Sequence, residues 1–96
     1  MILEHAVLPV IPGQETEFEA AFAQARPLIE RQPGCRGVSL HRGLETPNEY
    51  VLLVRWGTVE DHTEGFRRSA YYERWRELLH RFYDPFPVVE HLVEVG

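Results

Sequence analysis

Five histidines, two tryptophans and one cysteine are the residues whose types carry chemistry beyond packing. An imidazole titrates near neutral pH and can serve as a base there. His5 falls in a strand-like run over residues 2–11, and His91 in another over 88–95. If those two runs are antiparallel neighbours, directly opposed residues have Cβ atoms ~5 Å apart. Setting Glu4 with Glu90 and Glu94 on one face puts His5 and His91 together on the other, which is assigned to the helices. Such a pair is open to three readings: a polar pair satisfied within the core, a base or hydrogen-bond donor facing a ligand pocket, or part of a metal site. The metal reading lacks a third ligand. Glu4 and Glu90 then point away, His41 lies on a distant hairpin, and catalytic metal sites usually take three protein ligands.

His62 directly follows Asp61. Surface exposure is its expected state, with a base or donor at a pocket mouth as the alternative. Trp56, Phe66, Tyr72 and Trp75 belong to a larger aromatic set for which core packing is the ordinary explanation. The two indoles carry an N–H, are large, and often wall a cavity. Tyr72 sits about a turn before Trp75 and could present its hydroxyl to the same space. Cys35 is alone, so it makes neither an internal disulfide nor a cysteine metal site. That usage fits a reduced compartment, and a thiol nucleophile has too little support beside it. No phosphate-cradling glycine loop, nucleophile elbow or dinucleotide fingerprint is present.

The elements that must position these residues follow from periodicity and punctuation. Pro12-Gly13, Pro33-Gly34, Pro47-Asn48 and Asp84-Pro85 mark breaks. Between them residues 14–31 read as a helix, with Phe18, Phe22, Ala25 and Ile29 at helical spacing and acidic residues near its start. Pro27 should kink it. Residues 35–43 and 48–56 read as strands, the second apolar enough to be central. Thr58-x-x-Asp61 resembles a capping box and Ser69 a second N-cap, so a short helix should precede a longer one reaching Phe82.

Strand, helix, strand, strand, helix, strand is the order of the split βαβ, or ferredoxin-like, α+β fold: a four-stranded antiparallel sheet with both helices on one face. The 96 residues make one domain, 1–96. The other sheet face is expected to carry Ile2, Ala6, Leu8 and Val10, too apolar to stay open, so a homodimer packed through the sheet faces is expected. The formal charge of -5 argues against nucleic acid or an anionic membrane surface as partner. Arg67, Arg68, Arg74, Arg76 and Arg81 are the local exception, read as a solvated helix face, or less simply as a rim that attracts an anion. With no signal peptide or membrane span in view, a cytoplasmic protein is expected.

Four segments, PGQETEFEAAF, PGCRGVSLHR, EYVLLVRWGTVEDHTEGFRRSAYY and FYDPFPVVEH, in this order and spacing, resemble the antibiotic biosynthesis monooxygenase (ABM) domain of the dimeric α/β-barrel superfamily. The resemblance covers essentially the whole chain. It implies a dimer with one pocket per protomer between helices and sheet. It also implies oxygenation of a phenolic or quinol-type aromatic by dioxygen, with no cofactor. Haem-degrading relatives would place their haem-ligating histidine at Trp75, a pocket tryptophan at Gly65 and an asparagine at His5, and this chain departs from all three. Quinol-oxidising relatives carry histidines after the tryptophan of the third strand; His62 lies near but is offset by one position.

The expected activity is therefore cofactor-independent monooxygenation of a small aromatic. His5 would be base or anchor, His91 its partner and His62 the alternate base, with Trp56, Phe66, Tyr72 and Trp75 as substrate-binding walls. The alternatives are a non-catalytic small-molecule-binding or stress-linked accessory dimer, and a non-oxidative isomerase or cyclase on the same fold.

Overall fold

A computed structural model describes all residues, 1–96. The alternating run at the start forms β1 (Ile2–Pro9), and the amphipathic stretch after Pro12-Gly13 forms α1 (Glu15–Glu30). Strands β2 (Cys35–Arg42) and β3 (Glu49–Trp56) make the hairpin. A turn of π-helix over Asp61–Phe66 leads into α2 (Ala70–Leu79), a tight 3₁₀ turn over His80–Phe82 follows, and β4 (Val89–Val93) ends the sheet. The strand order is β2-β3-β1-β4, with antiparallel pairing throughout, which is the ferredoxin-like α+β arrangement.

The core lies between the sheet and the two helices. Phe18, Phe22, Ala25 and Ile29 of α1 are all buried there, facing Leu8, Tyr50, Leu52 and Val54 of the sheet. The apolar stripe of α1 runs through Pro27 to Ile29, so the helix continues past the proline. A proline near a helix end removes one donor from the ladder without stopping the last turn. The capping box forms as its residue types require: Thr58 N–H donates to Asp61 Oδ2 at 2.9 Å, and Asp61 N–H donates to Thr58 Oγ1 at 3.1 Å. Ser69 caps α2 by accepting from Tyr72 N–H. The helix stops at Leu79 rather than Phe82, and the 3₁₀ turn then takes the chain round toward β4.

The two faces of β1 are the reverse of the sequence expectation. Glu4, Ala6, Leu8 and Val10 point under the helices and are buried, whereas Leu3, His5 and Val7 lie on the open face. The physical reason is burial. Ile2, Ala6, Leu8 and Val10 are the more apolar set, and a strand with one covered face turns its more apolar side to the core. The open face still carries Leu3 and Val7 beside Val51 and Leu53 of β3.

Candidate active site

Four residues from four places in the chain meet at one end of the space between sheet and helices. Glu4 of β1 stands directly opposite His91 of β4, and His5 stands opposite Glu90. Opposed residues share a face, so Glu4 and His91 both look toward the helical layer. Trp56, at the end of β3, reaches the same place and donates its indole N–H to Glu4 Oε1 at 2.9 Å. The π turn brings in His62, whose ring stacks on the Trp56 indole at 5.4 Å between centroids and 14° between planes. Its Nε2 lies 3.4 Å from Glu4 Oε1, and its Nδ1 lies 2.9 Å from His91 Nε2. Glu4, Trp56 and His62 are buried, and His91 is half-buried on the outermost strand.

Why His62 turns inward follows from its local sequence. The Thr58–Asp61 box fixes the start of the turn. The wide π register, with Arg67 N–H donating to the His62 carbonyl, then puts both His62 and Phe66 on its inner side. Single π turns of this kind recur where a functional side chain must be re-aimed. The expected surface position of His62 is thus corrected: only 3% of it is exposed.

Burial disfavours the charged forms of Glu4 and His62. Burial pushes the Glu4 carboxyl above the usual carboxylate range, against the lowering effects of the Trp56 N–H and the Arg67 charge. Burial also drives the His62 pKa down to about 3, helped by Arg67 and His91. The Glu4–His62 contact is accordingly not an ion pair near neutral pH. A neutral imidazole has one donor and one acceptor nitrogen, and His62 sits between the two partners, hydrogen-bonded to His91 and in contact with Glu4. No group of three or more His, Cys, Asp or Glu side chains is arranged to hold a metal ion. The ring nitrogens of His62 are engaged along a line rather than converging on a point.

A cleft of about 350 Å³ opens from this cluster. Glu4, His62 and Arg67 supply its charged or titratable end, and Leu8, Leu52, Phe66 and Trp75 form much of its apolar wall. Tyr72, His80, Tyr83 and Phe86 close the other side. Burial and the neighbouring Tyr72 and Glu4 raise the Tyr83 pKa, so its phenol stays protonated and can donate. The volume is in the range of small-molecule sites, and apolar walls with a few convergent polar groups are their usual character.

The expected residues fall into three groups. Phe66, Tyr72 and Trp75 line the cleft. Trp56 does not: it is wholly buried behind Glu4 and His62, and holds both. His62 and His91 touch each other, whereas His5 is on the opposite sheet face, because the true register pairs His91 with Glu4 and not with His5. Glu4, which the sequence reading sent outward, is the residue that was missed. A signal for it existed, since a buried indole N–H needs an acceptor and Trp56 ends a strand that a single antiparallel register sets beside the start of β1. Of the five clustered arginines, Arg68, Arg74 and Arg76 pair with nearby glutamates on the helix surface, and Arg81 lies over the Phe82 ring. Arg67 lines the cleft.

Fold and site together define a small ferredoxin-like α+β protein with an aromatic cleft between its layers. The model of the family described as antibiotic biosynthesis monooxygenase matches residues 1–78. The uncharacterised Bacillus subtilis protein YczJ is 52% identical over 95 residues, a match spanning 99% of this chain and 100% of that one. A crystal structure from Bordetella bronchiseptica, named as a candidate antibiotic biosynthesis monooxygenase, is 46% identical and superposes with a TM-score of 0.94, covering 99% of this chain and 97% of that one. A similarly named protein from Nitrosomonas europaea shares the fold at a TM-score of 0.85 and 17% identity over the full length of both chains. The chain belongs to the antibiotic biosynthesis monooxygenase family. No helix is long and apolar enough to cross a membrane.

Proposed function

We propose that this protein is a cofactor-independent monooxygenase that oxidises a small phenolic or quinol-type aromatic with dioxygen. The observation that carries the reading is the cleft itself: an apolar, aromatic-walled space of about 350 Å³ that ends on Glu4, His62 and Arg67. Membership of the family is consistent with it.

The chemistry asks three things of the chain: a proton acceptor, a poorly hydrated cavity, and a positive or donor group for the developing oxyanion. The Glu4–His62–His91 cluster supplies the first, in the place the sequence reading gave to His5. The apolar walls supply the second. Arg67, with the Tyr72 and Tyr83 hydroxyls on the same cleft, supplies the third. Removing the hydroxyl proton makes the ring electron-rich enough to reduce dioxygen directly. A new C–O bond forms at the ring carbon para to the hydroxyl, and the resulting hydroperoxide loses water. One phenol and one dioxygen give one quinone and one water. All four electrons come from the substrate, so no reductant is required.

The protein acts as a homodimer in this reading, packed through the open face bearing Leu3, Val7, Val51 and Leu53. Incubating it with 1-naphthol in air and under nitrogen tests the function. The reading expects 1,4-naphthoquinone in air alone, at a rate above the protein-free control. Equal product in both atmospheres, or none in either across a panel of phenols and hydroquinones, would contradict it. The second outcome, with ligand binding retained, would instead favour the binding-protein alternative.

A further inference from the structure

The contacts at the polar end of the cleft have a direction. Glu4 and His62 both line the cleft, whereas His91 does not and is half-buried on the sheet's outer strand. Glu4 Oε1 meets His62 Nε2 at 3.4 Å, and the opposite nitrogen of that ring meets His91 Nε2 at 2.9 Å. One unbroken line of polar atoms thus joins the cleft to the outer edge of the sheet, drawn from β1, the π turn and β4. We propose that Glu4 takes up the ligand's proton in the cleft, and that His62 and His91 form a hydrogen-bonded wire exchanging that proton with solvent at β4. The inference rests on the cleft being the phenol site.

Glu4 is suited to the first role by its position. Its Oε1 is engaged by Trp56 and His62, which leaves Oε2 for a ligand. His62 is suited to passing a proton rather than keeping it, because the charged imidazolium is strongly disfavoured where it lies. Once rotation of the carboxyl has turned the proton it took up toward His62, the carboxyl donates to His62 Nε2, His62 Nδ1–H donates to His91 Nε2, and His91 Nδ1–H meets water. Transfer along this line moves one proton from Glu4 to solvent. Each imidazole ends neutral, with its hydrogen moved to Nε2. Transfer in the opposite sense returns one proton and restores the first state. No electrons move. The other titratable groups that bear on the line are Arg67 beside Glu4 and His62, and Tyr83 and Cys35, which feel the Glu4 charge. Arg67 favours the ionised carboxylate before uptake, and a bound phenolate after it.

The probe is 4-nitrophenol under nitrogen, whose absorbance separates phenolate from phenol without any turnover. The wild-type protein is expected to bind it as phenolate. Glu4→Gln should slow the ligand's ionisation after a pH jump by roughly 10²-fold, because the acceptor is lost, without raising the bound ligand's pKa, because a neighbouring negative charge is also removed. His91→Ala should leave the equilibrium phenolate fraction unchanged but slow its adjustment after a pH jump by roughly 10²-fold, with recovery on adding free imidazole. An unchanged rate of ionisation in Glu4→Gln, or an unchanged rate in His91→Ala, overturns the proposal. Failure of the wild-type protein to bind 4-nitrophenol counts against the cleft reading instead. The wire is then decided in the free protein, where ¹⁵N-histidine spectra must show nitrogen–nitrogen coupling across the His62–His91 hydrogen bond. Absence of that coupling overturns it.

Discussion

At the scale of single residues, the cluster sets an opposition that stability measurements can read. The folded state binds a proton at His62 less readily than the unfolded chain does, since the pKa falls from 6.5 to about 3. Below about 6.5 the unfolded state therefore gains protons that the folded state refuses, so acidification favours unfolding until about pH 3. Glu4 works the other way. Its raised pKa makes the folded state hold a proton more tightly, so acidification down toward the ordinary value of 4.5 favours folding through that group. His62→Gln removes the first effect, and thermal melts from pH 7 to pH 4 should show a shallower loss of Tm than the wild type. Parallel curves would show that His62 is not held neutral by its burial. Little of this cluster was legible in the sequence. The residue types were, and Phe66, Tyr72 and Trp75, expected as pocket walls, line the cleft. The partners were not, because which side chain meets which depends on a one-residue choice of register between β1 and β4.

At the scale of elements, that choice is where sequence reading and structure part. The order of strands and helices, the buried stripe of α1 and both N-caps follow from local patterns, and local patterns are what a sequence displays. The facing of β1 does not, because both of its faces are largely apolar and alternation alone leaves the sign undecided. Comparing the two faces would have settled it: four of five positions in the set Ile2, Glu4, Ala6, Leu8, Val10 are apolar, and Ala6, Leu8 and Val10 are buried. The π turn was also illegible. Its capping box announces a helix start but not the wide register that turns His62 inward. The box that starts the turn lies close to Gly34, where a Cβ would overlap the Asp61 carboxylate that closes it. Gly34→Ala should therefore destabilise the fold by about 1–3 kcal/mol in denaturant unfolding. It should also perturb the His62 and His91 ring resonances more than those of His41 on β2. A neutral effect on both would mean that Asp61 is free to move and does not anchor the turn.

At the scale of the molecule, the helices cover one sheet face and leave Leu3, Val7, Val51 and Leu53 on the other. A second copy of the same face is the cover we propose, since a self-complementary apolar patch closes under two-fold symmetry. Sedimentation equilibrium should give twice the 11.2 kDa chain mass, and Leu53→Glu should shift the protein toward the single-chain mass while its helical signal is retained. A wild-type mass of one chain at micromolar concentration would leave that face without its proposed partner. Because the cleft lies on the helical side, a monomeric variant that keeps its cleft would also reveal whether the pocket works without the pairing.

The claim on which the functional account depends is that a bound phenol, once deprotonated, reacts with dioxygen itself. The most direct measurement supplies ¹⁸O₂ to the wild-type protein and to Glu4→Gln with 1-naphthol, and follows the label by mass spectrometry. The account predicts one labelled oxygen in the naphthoquinone and one in water, with the rate lowered by roughly 10²–10⁴-fold in the variant. A quinone whose new oxygen comes from solvent, or no dioxygen consumed while the aromatic is bound and turned over, would contradict it.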